Sequence, residues 1–89
     1  MKVIKITAVW CPACIIMNQR WEKICRECDW VDTLEYDYDA DAEAVKKYNV
    51  GKDIPVFIFL DQSGAEILRL QGEIDRRDLI KLLEENKDK

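Results

Sequence analysis

The sequence predicts an α/β fold with the element order βαβαββα around a mixed sheet, and three stretches carry that expectation. A β-branched apolar run (Val3, Ile4, Ile6, Thr7, Val9) leads into Trp10-Cys11-Pro12-Ala13-Cys14. A helix-compatible stretch without glycine or proline follows, from Ala13 to about Asp29. Strand, helix and strand at these lengths make a βαβ unit, whose strands run parallel. Later, the most apolar segment, Val56-Phe57-Ile58-Phe59-Leu60, is followed by the turn residues Asp61-Gln62-Ser63-Gly64 and a returning strand, which makes an antiparallel hairpin.

In chain order, Lys2 to Val9 reads as a central strand, because both alternating faces carry apolar residues. Pro12 to about Cys28 reads as a helix. Cys14, Met17, Trp21, Ile24 and Cys28 recur at three- and four-residue steps on one face, and charged and amide side chains mostly cover the other. Pro12 suits the first helical position, where its missing N–H costs nothing. Asp29 to Thr33 is a connection. Leu34 to Tyr38 is the second strand, and its acidic side chains Glu35 and Asp37 suit a sheet edge. Asp39 or Asp41 caps a short helix running to Tyr48, with Gly51 beyond its end. Pro55 precedes the third strand, Val56 to Leu60, a position where proline is tolerated. Ala65 to Leu70 form the fourth strand, which Gly72 breaks. Asp75 with Asp78 resembles a capping pair for a last helix with Leu79, Ile80, Leu82 and Leu83 as its apolar face.

The length of 89 residues fits one domain spanning 1–89, and an apolar share of 48% is enough for one modest core. A net charge of −4 gives no reason to expect a nucleic acid or an anionic membrane as partner. No apolar run approaches the length of a membrane span. The apolar N-terminal run ends in Cys11-Pro12-Ala13-Cys14, not in a small-residue cleavage site, so the expected location is cytoplasmic. In that compartment four cysteines point to catalysis or metal binding more than to structural disulfides. The absence of histidine excludes a Cys-His nucleophile pair, and no glycine-rich loop is present to cradle phosphate. A monomer is the default expectation.

The chemistry centres on Cys11 and Cys14. A Cys-x-x-Cys at a strand-to-helix junction is a redox motif with a mechanism. Cys11 falls at the N-cap, where unpaired N–H groups and the positive end of the helix dipole stabilise a thiolate. Cys14 lies one turn on, placed to attack a mixed disulfide at Cys11 and release the partner. No cofactor is expected beyond that dithiol/disulfide couple. A second pair, Cys25-Arg26-Glu27-Cys28, raises the alternative of a Cys₄ zinc site. Cys14 and Cys25 are eleven residues apart, about 16 Å along an unbroken helix, while each sulfur must come within about 2.3 Å of a zinc ion. The expectation is therefore no metal, with Cys25 and Cys28 either packed in the core or forming a secondary redox pair. Trp21 and Trp30 read as core or core-edge residues, and Tyr36 and Tyr38 as sheet packing.

Trp10-Cys11-Pro12-Ala13-Cys14 after the first strand and Ile54-Pro55 before the third, within this element order, resemble the thioredoxin family over nearly the whole chain. The resemblance implies a thioredoxin-like fold without the family's extra N-terminal strand and helix. The sheet order would be 2-1-3-4, with helices on both faces. It implies a thiol–disulfide oxidoreductase acting on protein disulfides and restored by an upstream disulfide reductase. Pro55 would be cis and packed beside the dithiol. Ile54 would offer its backbone to substrate, Trp10 would lie at the exposed rim, and Gly72 would complete the binding groove. With Pro12 and Ala13 between the cysteines, these are the expected substrate-binding residues. Several positions depart from the family. Pro12-Ala13 replaces Gly-Pro, Ile15 replaces a basic residue, and Val56 replaces a threonine. Proline first is a glutaredoxin habit, but Asp53-Ile54-Pro55 and a single Gly72-Glu73 do not match a glutathione site. Lys5 stands where the family buries an aspartate. Buried near Cys14, its cation would favour the thiolate and tune the acidity of the thiols. Alternatively, it lies on a sheet face left open by the missing N-terminal helix and snorkels to water. A binding module that no longer uses its thiols is the remaining alternative.

Overall fold

The computed structural model describes all residues from Met1 to Lys89. Its elements follow the expected order: β1 (Lys2–Thr7), α1 (Pro12–Glu27), β2 (Asp32–Asp37), α2 (Ala42–Lys47), β3 (Val56–Leu60), β4 (Glu66–Gln71) and α3 (Arg76–Asn86). The four strands form one sheet in the order β2-β1-β3-β4. β1 runs parallel to β2 and antiparallel to β3, and β3 is antiparallel to β4 with a bulge at Phe59/Leu60.

Side chains alternate across the sheet, so each strand feeds two cores. On one face, Val3, Phe57 and Phe59 pack against Met17, Trp21, Ile24 and Cys28 of α1 and against Leu79 and Leu83 of α3. On the other, Ile4, Ile6, Val56 and Ile58 are covered by Tyr36, Val45, Tyr48 and Val50, on the side where α2 lies. Burying a side chain such as Ile24 or Leu83 contributes about 1.5–3 kcal/mol. The exposed ion pair Glu22–Arg26 on α1 contributes about 0.3–0.5 kcal/mol. Packing of the apolar face, not surface charge, therefore fixes α1 on the sheet. Arg76 at the start of α3 also pairs with Glu27 at the end of α1.

The structure moves several expected boundaries. β1 stops at Thr7, not Val9. The Cys11 N–H donates to the Ala8 carbonyl (3.3 Å), closing a turn that lifts Val9 off the sheet, and Val9 is 85% exposed. β2 starts at Asp32 because parallel pairing reaches that far: its N–H donates to the Met1 carbonyl (2.7 Å). β2 ends at Asp37, although the Tyr38 N–H still donates to the Thr7 carbonyl (2.7 Å). β4 is displaced by one residue, to Glu66–Gln71.

Neither aspartate cap forms as expected. Asp41 precedes α2 but makes no side-chain cap bond; its carboxylate accepts the Asp37 N–H (2.8 Å). The Asp37 carboxylate accepts the N–H groups of Asp39 (3.0 Å) and Ala40 (2.8 Å), so these carboxylates tie the β2–α2 turn. Asp75 precedes α3 in extended conformation, again without a side-chain cap bond, so the Asp75/Asp78 pair does not form.

Candidate active site

The site sits where β1 hands over to α1. Cys11 is the N-cap of α1, in extended conformation (φ −96°, ψ 112°), and Pro12 occupies the first turn. This geometry turns the Cys11 sulfur toward the helix's unpaired donors, and Sγ accepts the Cys14 N–H at 3.2 Å. Sulfur thereby fills the role an aspartate or serine oxygen plays at an ordinary N-cap. Cys11 is 5% exposed and Cys14 fully buried.

The two thiols are not equivalent. Burial pushes the Cys14 thiol up to about 11 from an ordinary 9.0, and its interactions with Cys11, by hydrogen bond and by charge, push the same way. A contact with the Ala8 backbone and the positive charge of Lys5 pull it down, less strongly. Cys14 is thus held protonated beneath the more accessible Cys11.

Distant segments complete the surroundings. The Ile54–Pro55 peptide bond is cis. The Cys11 thiol donates to the Ile54 carbonyl (3.7 Å), and the Ile54 N–H is taken by the Lys52 carbonyl (3.1 Å). The backbone group Ile54 turns to the dithiol is therefore its C=O. The Gly72 N–H donates to the Pro55 carbonyl (2.9 Å), with Gly72 at φ +80°, a conformation that favours glycine. Arg20 of α1 holds the next residues, donating to the Ile74 carbonyl (2.6 Å) and pairing with Glu73 (3.6 Å). The structure thus brings Cys11, Cys14, Ile54, Pro55 and Gly72 together. Pro12 is exposed and Ala13 half-buried on the same helix start.

Trp10 is 57% exposed at the rim. Its indole N–H donates to the Asp39 carboxylate (2.6 Å), and its ring meets Tyr38 edge-on with centroids 6.1 Å apart. Sequence reasoning missed both partners and placed Tyr38 only as sheet packing. The acidic Tyr38-Asp39 turn directly after β2 was the available signal. In a parallel βαβ unit that turn emerges beside the end of β1.

Lys5 is buried, and it is not on the sheet face where the open-face alternative put it. It shares the sheet face of Val3 and Phe57, the face covered by α1 and α3, not the face opposite. Its side chain is 8% exposed, and its ammonium reaches sideways to Glu35 on edge strand β2 (3.3 Å). The open-face alternative is therefore corrected: snorkelling occurs along the sheet edge.

Cys25 and Cys28 lie at the far end of α1, whose helix runs unbroken from Pro12 to Glu27. No three His, Cys, Asp or Glu side chains converge closely enough to hold a metal ion. Cys28 is buried in the α1/α3 core, and Cys25 is half-buried with Sγ 3.7 Å from the Thr33 hydroxyl.

Comparison with known proteins agrees with this arrangement. No curated protein sequence matches the chain significantly. Among solved structures, thioredoxin of Fasciola hepatica is 27% identical, superposes with a TM-score of 0.85, and the match covers 96% of this chain and 79% of that one. Thioredoxin-2 of the malaria parasite is 25% identical, with a TM-score of 0.86 over 94% of this chain and 81% of that one. The germline-specific thioredoxin Deadhead of Drosophila melanogaster is also 25% identical, with a TM-score of 0.82 over 94% and 78%. The family profile for thioredoxin matches residues 1–85. With the dithiol at the head of α1, the adjacent proline loop and the β2-β1-β3-β4 sheet, that match means that the chain belongs to the thioredoxin family, a family of thiol–disulfide oxidoreductases.

Proposed function

We propose that this protein reduces or exchanges disulfides in protein substrates through a Cys11/Cys14 dithiol–disulfide couple. The observation that carries the reading is the unequal pair: Cys11 sulfur at the helix N-cap accepting the Cys14 N–H, with Cys14 buried and protonated behind it. In the reducing direction the Cys11 thiolate attacks a substrate disulfide. A Cys11–substrate bond forms, and the other substrate sulfur leaves with the electron pair. The substrate chain lies beside Ile54-Pro55, within reach of the Ile54 carbonyl, between the Trp10 rim and the Gly72 loop.

The pair is self-timed. Two of the influences that keep Cys14 protonated come from Cys11 itself, through its charge and its hydrogen bond. Once Cys11 is locked in a mixed disulfide, its charge is gone and Cys14 becomes easier to ionise. The Cys14 thiolate then attacks Cys11 Sγ. The Cys11–Cys14 bond forms and the reduced substrate leaves. The oxidised protein returns to the dithiol through an upstream disulfide reductase. Lys5 assists by favouring the Cys14 thiolate. We place this chemistry in a cytoplasmic monomer with no cofactor beyond the disulfide.

The test is a redox titration of the whole chain in glutathione buffers, with mass spectrometry assigning the paired cysteines. The expected result is a reversible Cys11–Cys14 couple, with Cys14→Ser accumulating mixed disulfides at Cys11. If Cys11 and Cys14 never pair, the reading is wrong. A partner still captured when both are serine would instead support a binding module.

A further inference from the structure

We propose that Glu35 is a positioning residue for the resolving step: it sets how readily Cys14 attacks the mixed disulfide by holding the Lys5 ammonium at the β1–β2 edge. This rests on the dithiol reading above and adds a residue that touches neither the substrate nor the reacting sulfurs in that mechanism.

Lys5 and Thr7 are the buried polar residues of the fold, and Lys5 is the charged one. A buried ammonium is costly unless it is paired. The parallel register sets Glu35 directly opposite Lys5, and the two side chains meet at 3.3 Å. The other ion pairs of the molecule join side chains that are both at least 23% exposed, so only this one has a buried cation. Glu35 itself is 58% exposed. It therefore gains little from the pair, while Lys5 depends on it.

The charged groups around these two residues are few. The charges that act on Cys14 are those of Cys11 at the start of α1 and Lys5 on β1. β3 contributes Phe57 beside Lys5, and α3 contributes Leu79 and Leu83 to the same face; none of these titrates. Glu35 lines a cleft with Thr7, Ile15, Asn18, Asp37 and Asp41. The Asp37 and Asp41 carboxylates there are engaged by backbone N–H groups. α1 presents Asn18, one turn beyond Cys14, whose buried amide oxygen has no hydrogen-bond partner. Glu35 is thus the one carboxylate paired with the cation that acts on Cys14.

In the resolving step the Cys14 thiol gives its proton to solvent and the thiolate attacks Cys11 Sγ. The Cys11–Cys14 bond forms as the Cys11–substrate bond breaks, and the electron pair leaves on the substrate sulfur, which takes up a proton. The protein dithiol is oxidised and the substrate reduced. The Lys5 charge favours the attacking thiolate, and a carboxylate next to that charge offsets part of its effect. Removing the Glu35 charge therefore favours the Cys14 thiolate.

The experiment mixes the whole reduced protein, in excess, with an aromatic disulfide. One aromatic thiol is released when Cys11 attacks and a second when Cys14 resolves, and the second phase is followed from about pH 6 to about pH 10. In Glu35→Gln the pH profile of the second phase is expected to move down by a few tenths of a unit, about the size of an exposed ion-pair effect. In Lys5→Met it moves up, and adding Glu35→Gln to Lys5→Met moves it no further. A Glu35→Gln profile identical to wild type overturns the inference, as does an equal shift with and without Lys5, since Glu35 would then act without it. Absence of any second phase in the wild type overturns the dithiol reading itself, a different failure from either of these.

Discussion

Helix α1 carries the same Cys-x-x-Cys spacing at both ends, and the two ends differ in what surrounds the sulfurs. At the N-terminal end, Cys11 is outside the helix as its cap, and its sulfur receives a backbone N–H. At the C-terminal end, Cys28 is again the cap, but its own N–H donates to the Ile24 carbonyl (2.8 Å), and its sulfur is buried in the α1/α3 core. Burial pushes the Cys28 thiol up; the carboxylates of Glu27 and Glu84 and neighbouring Cys25 add to it, and Arg76 pulls against them. The contrast with Cys14, also pushed up, lies in the source. Part of the pressure on Cys14 comes from Cys11 and vanishes when Cys11 reacts. Much of the pressure on Cys28 comes from burial and permanent charges, which no reaction at Cys25 removes. Spacing makes two thiols neighbours; helix polarity and the identity of the neighbouring charges make the two pairs unlike.

The largest effect expected from this contrast is on activity. Cys11→Ser should lower disulfide reduction on the order of a thousandfold or more. Cys25→Ser and Cys28→Ser should stay within about twofold in the same turnover assay. Equal losses at the two ends would break the comparison. A second effect concerns stability against pH. The folded Cys14 thiol titrates near 11, above its ordinary 9.0, so the folded state binds the proton more tightly than the unfolded chain. That stabilisation is fully present below pH 9 and is lost as pH rises toward 11. It amounts to about 2–3 kcal/mol. Urea unfolding of the reduced protein should therefore fall off over this window by about that much more than unfolding of Cys14→Ser. The smallest effect sharpens the C-terminal half of the contrast. Glu84→Gln removes one exposed carboxylate acting on Cys28, and alkylation of Cys28 at fixed pH should quicken by about two- to threefold, with added salt erasing the difference.

Much of this arrangement can be read from the chain because local rules and tertiary packing agree. The steps from Cys14 through Met17, Trp21 and Ile24 to Cys28 define an apolar face, and the structure buries all five residues. Pro12 and Cys11 mark the helix start without help from the rest of the fold. Features that depend on strand register are illegible by the same logic. Nothing local to Lys5 or Glu35 says they will stand opposite each other; the parallel pairing of β1 with β2 decides it. Asp32 and Thr33 look like a loop because they are polar, yet they join β2 by pairing with Lys2 and Val3. Asp41 and Asp75 carry a capping signal, but Asp41 spends its carboxylate on the Asp37 N–H, and Asp75 makes no cap bond. Val9 fails the strand reading for a further reason. Its apolar character belongs to the exposed rim of the site, beside Trp10, and not to the core.

The unbroken length of α1 has one more consequence, for what can be seen on a gel. Cys14 and Cys25, the nearest members of the two pairs, stand about 16 Å apart along a rigid rod. A disulfide spans at most about 7 Å between α-carbons. Within one folded molecule the two pairs therefore cannot cross-link. Any Cys11 or Cys14 sulfur found bonded to Cys25 or Cys28 in folded protein joins two separate chains, and its abundance reports how often two copies meet active site to helix end.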